Sequence, residues 1–153
     1  MINELIENYG FVKYSCLECK DGDVILPPQK NRLNVLYAIV VDDELVYIGQ
    51  TVNLRKRINY YRTSINRQTP TADTRKSKNI HKALEEGKTV TFYYRQCFEL
   101  YIENPTGKDI ISTADIEEPV LITKFKPEWN TNYVNKRKQQ KSFSIVQKSD
   151  DTM

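Results

Sequence analysis

The sequence predicts an α+β fold: one small domain with a mixed or antiparallel sheet of about three to five strands, flanked by helices. A length of 153 residues accommodates one modest hydrophobic core and leaves little room for a second. Residues 34–41 and 45–49 are rich in β-branched and aromatic side chains and surround an acidic turn, which is typical of a β-hairpin. Residues 54–66 and 75–86 carry apolar side chains at helical spacing.

The segment before the hairpin has a weaker pattern. Residues 1–33 contain short apolar pieces interrupted by Asp21-Gly22-Asp23 and by Pro27-Pro28. Because glycine and proline interrupt regular elements, we interpret this segment as irregular strands or an arm that wraps the domain.

The register of the hairpin decides where its two tyrosines point. A three-residue turn over 42–44 places Tyr37 opposite Gly49 and Ile39 opposite Tyr47. Side chains alternate along a strand, so the two tyrosines then share one face of the sheet. A two-residue turn would place them on opposite faces. We expect the three-residue turn, with open space opposite Tyr37 because Gly49 has no side chain.

Two helices follow the hairpin. Asn53 is a suitable N-cap for the helix over 54–66, and Arg57 lies on the border of its apolar stripe. The polar residues 66–74 form a loop, and a second helix over 75–86 ends at Gly87. Lys76 is on the apolar face of that second helix, so both cations are expected to face the sheet.

The remaining elements are a strand over 89–98, a strand over 109–113 after the turn at 104–107, and a third helix over 115–125 that Pro127 ends. Beyond Asn130 the chain is polar and basic, then rich in serine and aspartate. This composition predicts a frayed helix or a disordered tail.

Composition excludes several classes of protein. Apolar residues make up 39% and charged residues 28%, and no apolar run approaches the ~18 residues that span a bilayer, so no membrane partner is expected. The first residues lack the features of a secretory signal. Three cysteines, an odd number, argue against a disulfide framework and favour a reducing compartment, so the expected location is cytoplasmic. The few scattered glycines form no phosphate-binding loop, so no nucleotide cofactor is expected.

Charge is distributed unevenly along the chain. Residues 55–95 carry eleven lysines and arginines against three acidic residues, whereas residues 1–54 carry four against eight. Such asymmetry within one domain favours a surface that faces a polyanion, and the alternative is a solvated helix face. In this segment Arg62, Arg67, Lys78 and Lys82 are the predicted phosphate contacts.

Three blocks of sequence, taken in order, resemble the GIY-YIG nuclease family. They are Val35-Leu36-Tyr37, then Tyr47-Ile48-Gly49 with Asn53-Leu54-Arg55-Lys56-Arg57, and finally Glu117 through Trp129-Asn130. Val35 and Leu36 replace the glycine and isoleucine of the family pattern, but the tyrosine is kept. The resemblance divides the chain into an N-terminal arm or extra strands (1–33), a nuclease domain (34–132) and a basic, flexible tail (133–153).

The resemblance implies a DNA endonuclease that uses Mg²⁺ or Mn²⁺ and cuts double-stranded DNA with relaxed sequence preference. The run from Glu44 to Arg62 is similar to a phage-encoded member, which implies degradation of cytosine-containing host DNA in the host cytoplasm by a homo-oligomer, a dimer or a tetramer. Two alternatives stay open: a non-catalytic DNA-binding module with the same fold, and a restriction-type or repair nuclease of the same family.

The resemblance also assigns roles to four residues. It implies that Tyr37 is the general base, that Tyr47 is its hydrogen-bonding partner or contacts the phosphate, that Arg57 binds the scissile phosphate and that Lys76 assists the base. A phenol ordinarily has a pKa near 10, so neighbouring cations must lower the pKa of Tyr37 for activity at neutral pH. Without the motif context, a strand tyrosine is more often a half-buried core residue.

The metal-binding carboxylate is either Glu117 or Glu118. Asp115 and Glu118 have the spacing of a capping box, which gives Glu118 a structural role. The phage-encoded member favours Glu117, whereas more distant members favour Glu118, and we select Glu117. The full set of predicted substrate-binding residues is Gly49, Tyr61, Arg62, Arg67, Lys78, Lys82 and Asn130.

A zinc site from Cys16, Cys19, Cys97 and His81 is disfavoured because the second pair lacks the spacing of a zinc motif. If the nuclease prediction is right, Tyr37, Tyr47, Arg57 and Glu117 converge on one cleft although they are spread along the chain.

Overall fold

A four-stranded antiparallel sheet in the order β1-β6-β4-β5 forms the centre of the protein. The computed structural model describes residues 2–64 and 72–130. The helices are α1 (Ile2–Tyr9), α2 (Leu54–Thr63), α3 (Ala72–Glu85) and α4 (Ala114–Phe125), followed by a 3-10 turn (Glu128–Asn130). The strands are β1 (Val12–Cys16), β2 (Glu18–Lys20), β3 (Asp23–Ile25), β4 (Leu33–Val41), β5 (Glu44–Asn53), β6 (Val90–Gln96), β7 (Glu99–Asn104) and β8 (Gly107–Ser112). This confirms the predicted α+β class.

The turn between β4 and β5 differs from the prediction. Val41 pairs with Glu44, so the turn has two residues, Asp42 and Asp43, both with positive φ (48° and 65°) as a type I′ hairpin requires. A β-bulge then leaves Val46 without a partner, because Val40 pairs with Leu45 whereas Ile39 pairs with Tyr47. The predicted three-residue turn is wrong, but the bulge adds the missing residue and restores the predicted pairing of the tyrosines.

Each face of the sheet carries its own core. On the α2/α3 face, strand side chains including Tyr37 pack with Leu54, Ile58 and Ile80 of the two helices. On the α1/α4 face, side chains such as Leu36 and Ile48 pack with Leu5 of α1 and with Leu121 and Ile122 of α4. Alternation along β4 and β5 therefore assigns each residue near the hairpin to one of these two faces.

The helices begin and end close to the predicted positions. The Asn53 side chain accepts a hydrogen bond from the Lys56 amide (2.9 Å), which confirms the predicted N-cap of α2. α2 ends at Thr63 rather than at 66, and α3 begins at Ala72 rather than at 75.

The N-terminal segment departs furthest from the prediction. It contains a helix, α1, that was not predicted, although its apolar residues Ile2, Leu5, Ile6 and Tyr9 have helical spacing. β1 joins the central sheet beside β6, whereas β2 and β3 form a separate ribbon. β7 and β8 form a second ribbon. The predicted tail and Arg67 lie outside the described residues.

Within residues 2–64 and 72–130, no helix is both long enough and apolar enough to span a bilayer.

Candidate active site

Tyr37 and Tyr47 lie side by side on the α2/α3 face. Their ring centroids are 5.9 Å apart, and Gly49 lies directly opposite Tyr37 in the sheet. A Cβ atom at Gly49 would lie 2.7 Å from Cε2 of Tyr47 and 2.8 Å from the Tyr37 hydroxyl. The expected open space is therefore filled by the two rings, and no side chain larger than hydrogen fits at position 49 without displacing them.

Tyr37 is buried and bonded to a third tyrosine. Its side chain is 2% exposed, and its hydroxyl lies 2.6 Å from that of Tyr61. Burial raises the pKa of Tyr37 well above its usual range, Tyr61 and Tyr47 raise it further, and the nearby Arg57 charge opposes them. Arg57 thus lowers the pKa of Tyr37 as expected, but burial and the two neighbouring tyrosines outweigh it in the protein without DNA.

Tyr61, like Tyr37, lies beneath the surface, and only 1% of it is exposed. Its hydroxyl holds Tyr37, and its backbone carbonyl accepts a hydrogen bond from the Ser77 hydroxyl of α3. Tyr61 thus connects α2, α3 and the hairpin beneath the surface, and its contact with a substrate stays a prediction.

Two cations border the tyrosines, one from each helix of this face. The Lys76 ammonium lies 4.7 Å from the ring centroid of Tyr47, a distance typical of a cation–π contact. Arg57 is half-buried and lines an open groove of about 380 Å³. The other residues of this groove are Thr51, Val52, Asn53, Lys56 and Tyr60. Tyr37, Tyr47, Arg57 and Lys76 thus come from four elements, β4, β5, α2 and α3, and meet on one face.

Glu117 does not join them. Its Oε1 accepts a hydrogen bond from Nε of Arg95 at 2.6 Å in a partly buried ion pair. Arg95 pairs across the sheet with Leu36, whose side chain belongs to the α1/α4 core, so Glu117 lies on the opposite face from Tyr37. The predicted convergence of Glu117 with the tyrosines is wrong, because the Arg95 guanidinium directs that side chain elsewhere.

Cys97 lies close to this ion pair. Burial raises its pKa to about 11, and the Glu117 charge adds to that effect. The thiol is therefore protonated at neutral pH.

Glu118 also lies on the α1/α4 face, because its partner Gln50 pairs across the sheet with Leu36, but it contacts the edge strand β5 of the hairpin. It is 8% exposed, and its Oε1 accepts a hydrogen bond of 3.3 Å from the side chain of Gln50, the residue after Gly49. Burial raises its pKa, which Gln50 partly offsets. The predicted capping box is absent, because Thr113 rather than Asp115 occupies the N-cap position of α4. The structural role that argued against Glu118 as a ligand is thus removed.

Asn130 completes the outer edge of the sheet. Its side-chain oxygen accepts a hydrogen bond from the Ile48 amide and its nitrogen donates to the Ile48 carbonyl, both at 2.9 Å. Asn130 is buried and both of its polar side-chain atoms are bonded, so the structure supports an ordering role rather than the predicted contact with substrate. Gln50 was missed by sequence reasoning, although its position directly after the Tyr47-Ile48-Gly49 block was a usable signal.

The predicted phosphate contacts fall into two groups. Lys78 and Lys82 are exposed on α3, as a DNA-facing role requires. Arg62 instead donates to the Val24 carbonyl at 2.8 Å and to the Asn59 side chain at 2.6 Å, so it anchors the β2-β3 ribbon to α2. These bonds give Arg62 a structural role, and its contact with phosphate stays a prediction.

Groups of three or more histidine, cysteine or acidic side chains that could enclose a metal ion are absent from the described part of the chain. Cys97 belongs to the α1/α4 core, and Nδ1 of His81 lies 2.8 Å from the Ser77 carbonyl oxygen. A metal in the candidate site would therefore have one protein carboxylate, with its remaining ligands supplied by phosphate and water.

Comparison with known proteins shows extensive similarity to one phage nuclease. The chain is 51% identical to Endonuclease II of Enterobacteria phage T4 over 136 residues, which are 88% of this chain and 100% of the relative. A solved structure of a glutamate-to-alanine mutant of bacteriophage T4 EndoII is similar with a TM-score of 0.78 and 52% identity, covering 84% of this chain and 97% of that one. No family model matches the sequence.

A second solved structure shares the fold at much lower identity. The restriction endonuclease Hpy188I in complex with product DNA has a TM-score of 0.50 and 15% identity, covering 80% of this chain and 78% of that chain. At this identity the similarity concerns the fold alone.

Proposed function

This chain belongs to the endonuclease II family of bacteriophages and is an endonuclease, and we propose that it hydrolyses double-stranded DNA with Mg²⁺ or Mn²⁺ by the GIY-YIG mechanism. The proposal includes relaxed sequence preference and degradation of cytosine-containing host DNA in the host cytoplasm. The observation that carries it is the meeting of Tyr37, Tyr47, Arg57 and Lys76 on one face, with a buried carboxylate at the adjoining strand edge.

Arg57 is the proposed phosphate ligand. Its guanidinium presents a planar fork of donors that matches two phosphate oxygens, and it lines the open groove at the start of α2. Lys56 lies along the same groove, so positive charge continues beside the scissile position. Donors fixed in place before the reaction stabilise the negative charge that develops on the pentavalent phosphate.

Tyr37 is the proposed general base, with Tyr47 and Lys76 beside it. The Tyr37 hydroxyl lies over Gly49 of β5, only 2.8 Å from where a Cβ atom of that residue would be. Accepting a proton from water requires the phenolate, which burial disfavours and Arg57 favours. The positive charge of Arg57 therefore increases the fraction of Tyr37 that is deprotonated, and thus active as a base, at a given pH.

Glu118 is the proposed metal ligand, in place of Glu117. Its buried carboxylate has one long hydrogen bond and a raised pKa, so a cation beside it would relieve an unfavourable burial of charge. A divalent ion held there would supply positive charge to the phosphate and to the leaving oxygen. Glu117 is unsuited to this role because Arg95 and Thr113 already occupy both of its oxygens.

A plasmid-nicking assay with Mg²⁺, with and without EDTA, tests the proposal. Glu118→Ala should abolish nicking and leave DNA binding largely intact, because the carboxylate is removed while the basic surface stays. Glu117→Ala should reduce activity less. Nicking in EDTA, or a Glu118→Ala variant that cuts normally, would contradict the proposal.

The same assay separates the alternatives. A non-catalytic DNA-binding module would bind the plasmid without cutting it. Sequencing of the cleaved ends distinguishes a restriction enzyme, with one recognition sequence, from the relaxed preference proposed here. Substrates with 5-modified cytosine test whether unmodified cytosine is required.

We also propose that the protein is a homo-oligomer, a dimer or a tetramer, and that the β7-β8 ribbon contributes to the contact. Leu100, Tyr101, Ile102 and Ile110 of this ribbon are each more than half exposed, which is unusual for a surface that faces only water. Light scattering should give a mass above that of one chain for the wild type and a lower mass for Ile102→Asp. If the variant had the same mass as the wild type, the ribbon would not be part of the interface.

A further inference from the structure

Three residues on neighbouring strands form one row across the α1/α4 face. Leu36 of β4 pairs with Arg95 of β6 on one side and with Gln50 of β5 on the other. Strands in a sheet are about 4.8 Å apart, so the backbones at Arg95 and Gln50 are about 10 Å apart. α4 packs on this face, and its consecutive glutamates contact the two ends of the row: Glu117 bonds to Arg95 and Glu118 to Gln50.

The two contacts differ in strength. The Arg95–Glu117 bond is short, at 2.6 Å, and joins two charges, whereas the Gln50–Glu118 bond of 3.3 Å has a neutral donor. Arg95 also donates to the Tyr9 carbonyl at 2.8 Å, which connects the ion pair to the end of α1. The Arg95 contact is therefore the one able to fix the position of α4.

The start of α4 depends on the same ion pair. Thr113 occupies the N-cap position, but its side chain makes no capping bond to the helix backbone. Its hydroxyl instead donates to Oε2 of Glu117. The first turn is thus held by the Glu117 carboxylate together with the Ser112 hydroxyl, which accepts a hydrogen bond from the Ala114 amide at 3.1 Å.

We propose that the Arg95–Glu117 ion pair is a positioning device that fixes the rotation of α4 and thereby holds the Glu118 carboxylate at the edge of β5. Consecutive helix residues project about 100° apart, so fixing the direction of Glu117 also fixes that of Glu118. The inference rests on the role proposed for Glu118. It makes Glu117 a positioning residue, on the opposite face of the sheet from the tyrosines.

Two variants and one control test this inference in the full-length protein. Glu117→Gln keeps the size of the side chain and removes its charge, and Arg95→Lys keeps the charge and removes the forked donor. Glu4→Gln is the control, because the Glu4–Lys124 ion pair (3.4 Å) also joins α1 to α4 but is exposed. The readouts are the side-chain amide resonances of Gln50 in ¹⁵N NMR spectra, and the maximal cleavage rate and KM for a plasmid with Mg²⁺.

In both variants we expect the Gln50 resonances to move towards those of an exposed glutamine, and the maximal rate to fall about 10- to 100-fold with KM unchanged. The control should change neither readout. Unmoved Gln50 resonances in Glu117→Gln would overturn the inference, and if activity were also lost as completely as in Glu118→Ala, Glu117 would itself be the ligand. If Glu117→Gln does not fold, Arg95→Lys is judged by the same two readouts.

A wild-type protein without metal-dependent cleavage would refute the proposed function. The Gln50 resonances would still decide whether the ion pair orients α4, so the two failures are distinguishable.

Discussion

The Tyr37 and Tyr61 hydroxyls lie 2.6 Å apart where solvent does not reach, so they share one hydrogen bond and favour the protonated form of Tyr37. A general base must be deprotonated, and below its pKa the deprotonated fraction rises about tenfold per pH unit. Since burial raises the pKa of Tyr37, we expect the single-turnover cleavage rate to keep rising with pH through the neutral and alkaline range. Tyr37→Phe should abolish this rise, and Tyr93→Phe on β6, which lies on the α1/α4 face, is the control. If the cleavage rate of the wild type did not depend on pH, Tyr37 would not be the general base.

At the scale of the element, the hairpin combines a tight turn with a bulge. Asp42 and Asp43 both adopt the left-handed conformation, which costs a non-glycine residue about 1 kcal/mol. Asp42 offsets this cost because its side chain accepts hydrogen bonds from the Thr89 amide (2.8 Å) and hydroxyl (3.2 Å). We therefore expect Asp43→Gly to raise the free energy of unfolding by up to about 1 kcal/mol, and Asp42→Gly to lower it. Thermal denaturation measures both, and equal effects of the two changes would refute this account.

At the scale of the whole molecule, the exposed cations of α3 lie on the same helix as Lys76. Lys78 and Lys82 face solvent, so each phosphate contact they make should contribute to the salt dependence of DNA binding. Lys78→Glu with Lys82→Glu should weaken binding and reduce the slope of log affinity against log salt concentration by about two. Lys13→Glu with Lys20→Glu, on β1 and β2, is a matched double charge reversal outside α3. If the double reversal changed neither the affinity nor the slope, α3 would not contact DNA and its lysines would form a solvated helix face.

Sequence alone determined the elements whose signals are local. Apolar periodicity, the Asn53 cap and β-branched runs each depend on neighbours a few residues away, so the hairpin strands, α2, α3 and α4 were predictable. The pairing of Tyr37 with Gly49 was also predicted, but for a partly wrong reason, since the turn has two residues and the bulge compensates. α1 was missed although Ile2, Leu5, Ile6 and Tyr9 recur at helical spacing, because an eight-residue segment is too short for periodicity to separate a helix from a strand.

Only the tertiary structure showed that the two glutamates have different hydrogen-bond partners and how the proton of Tyr37 is held. Glu117 and Glu118 are adjacent and chemically identical, and their directions depend on Arg95 and Gln50, residues from two other strands that one cross-sheet row aligns. The pKa of Tyr37 likewise depends on burial beneath α2 and on Tyr61, which no spacing rule reveals. Local patterns specify which residues can do the chemistry, but charge and burial depend on contacts between distant segments, and these exist only once the sheet has formed.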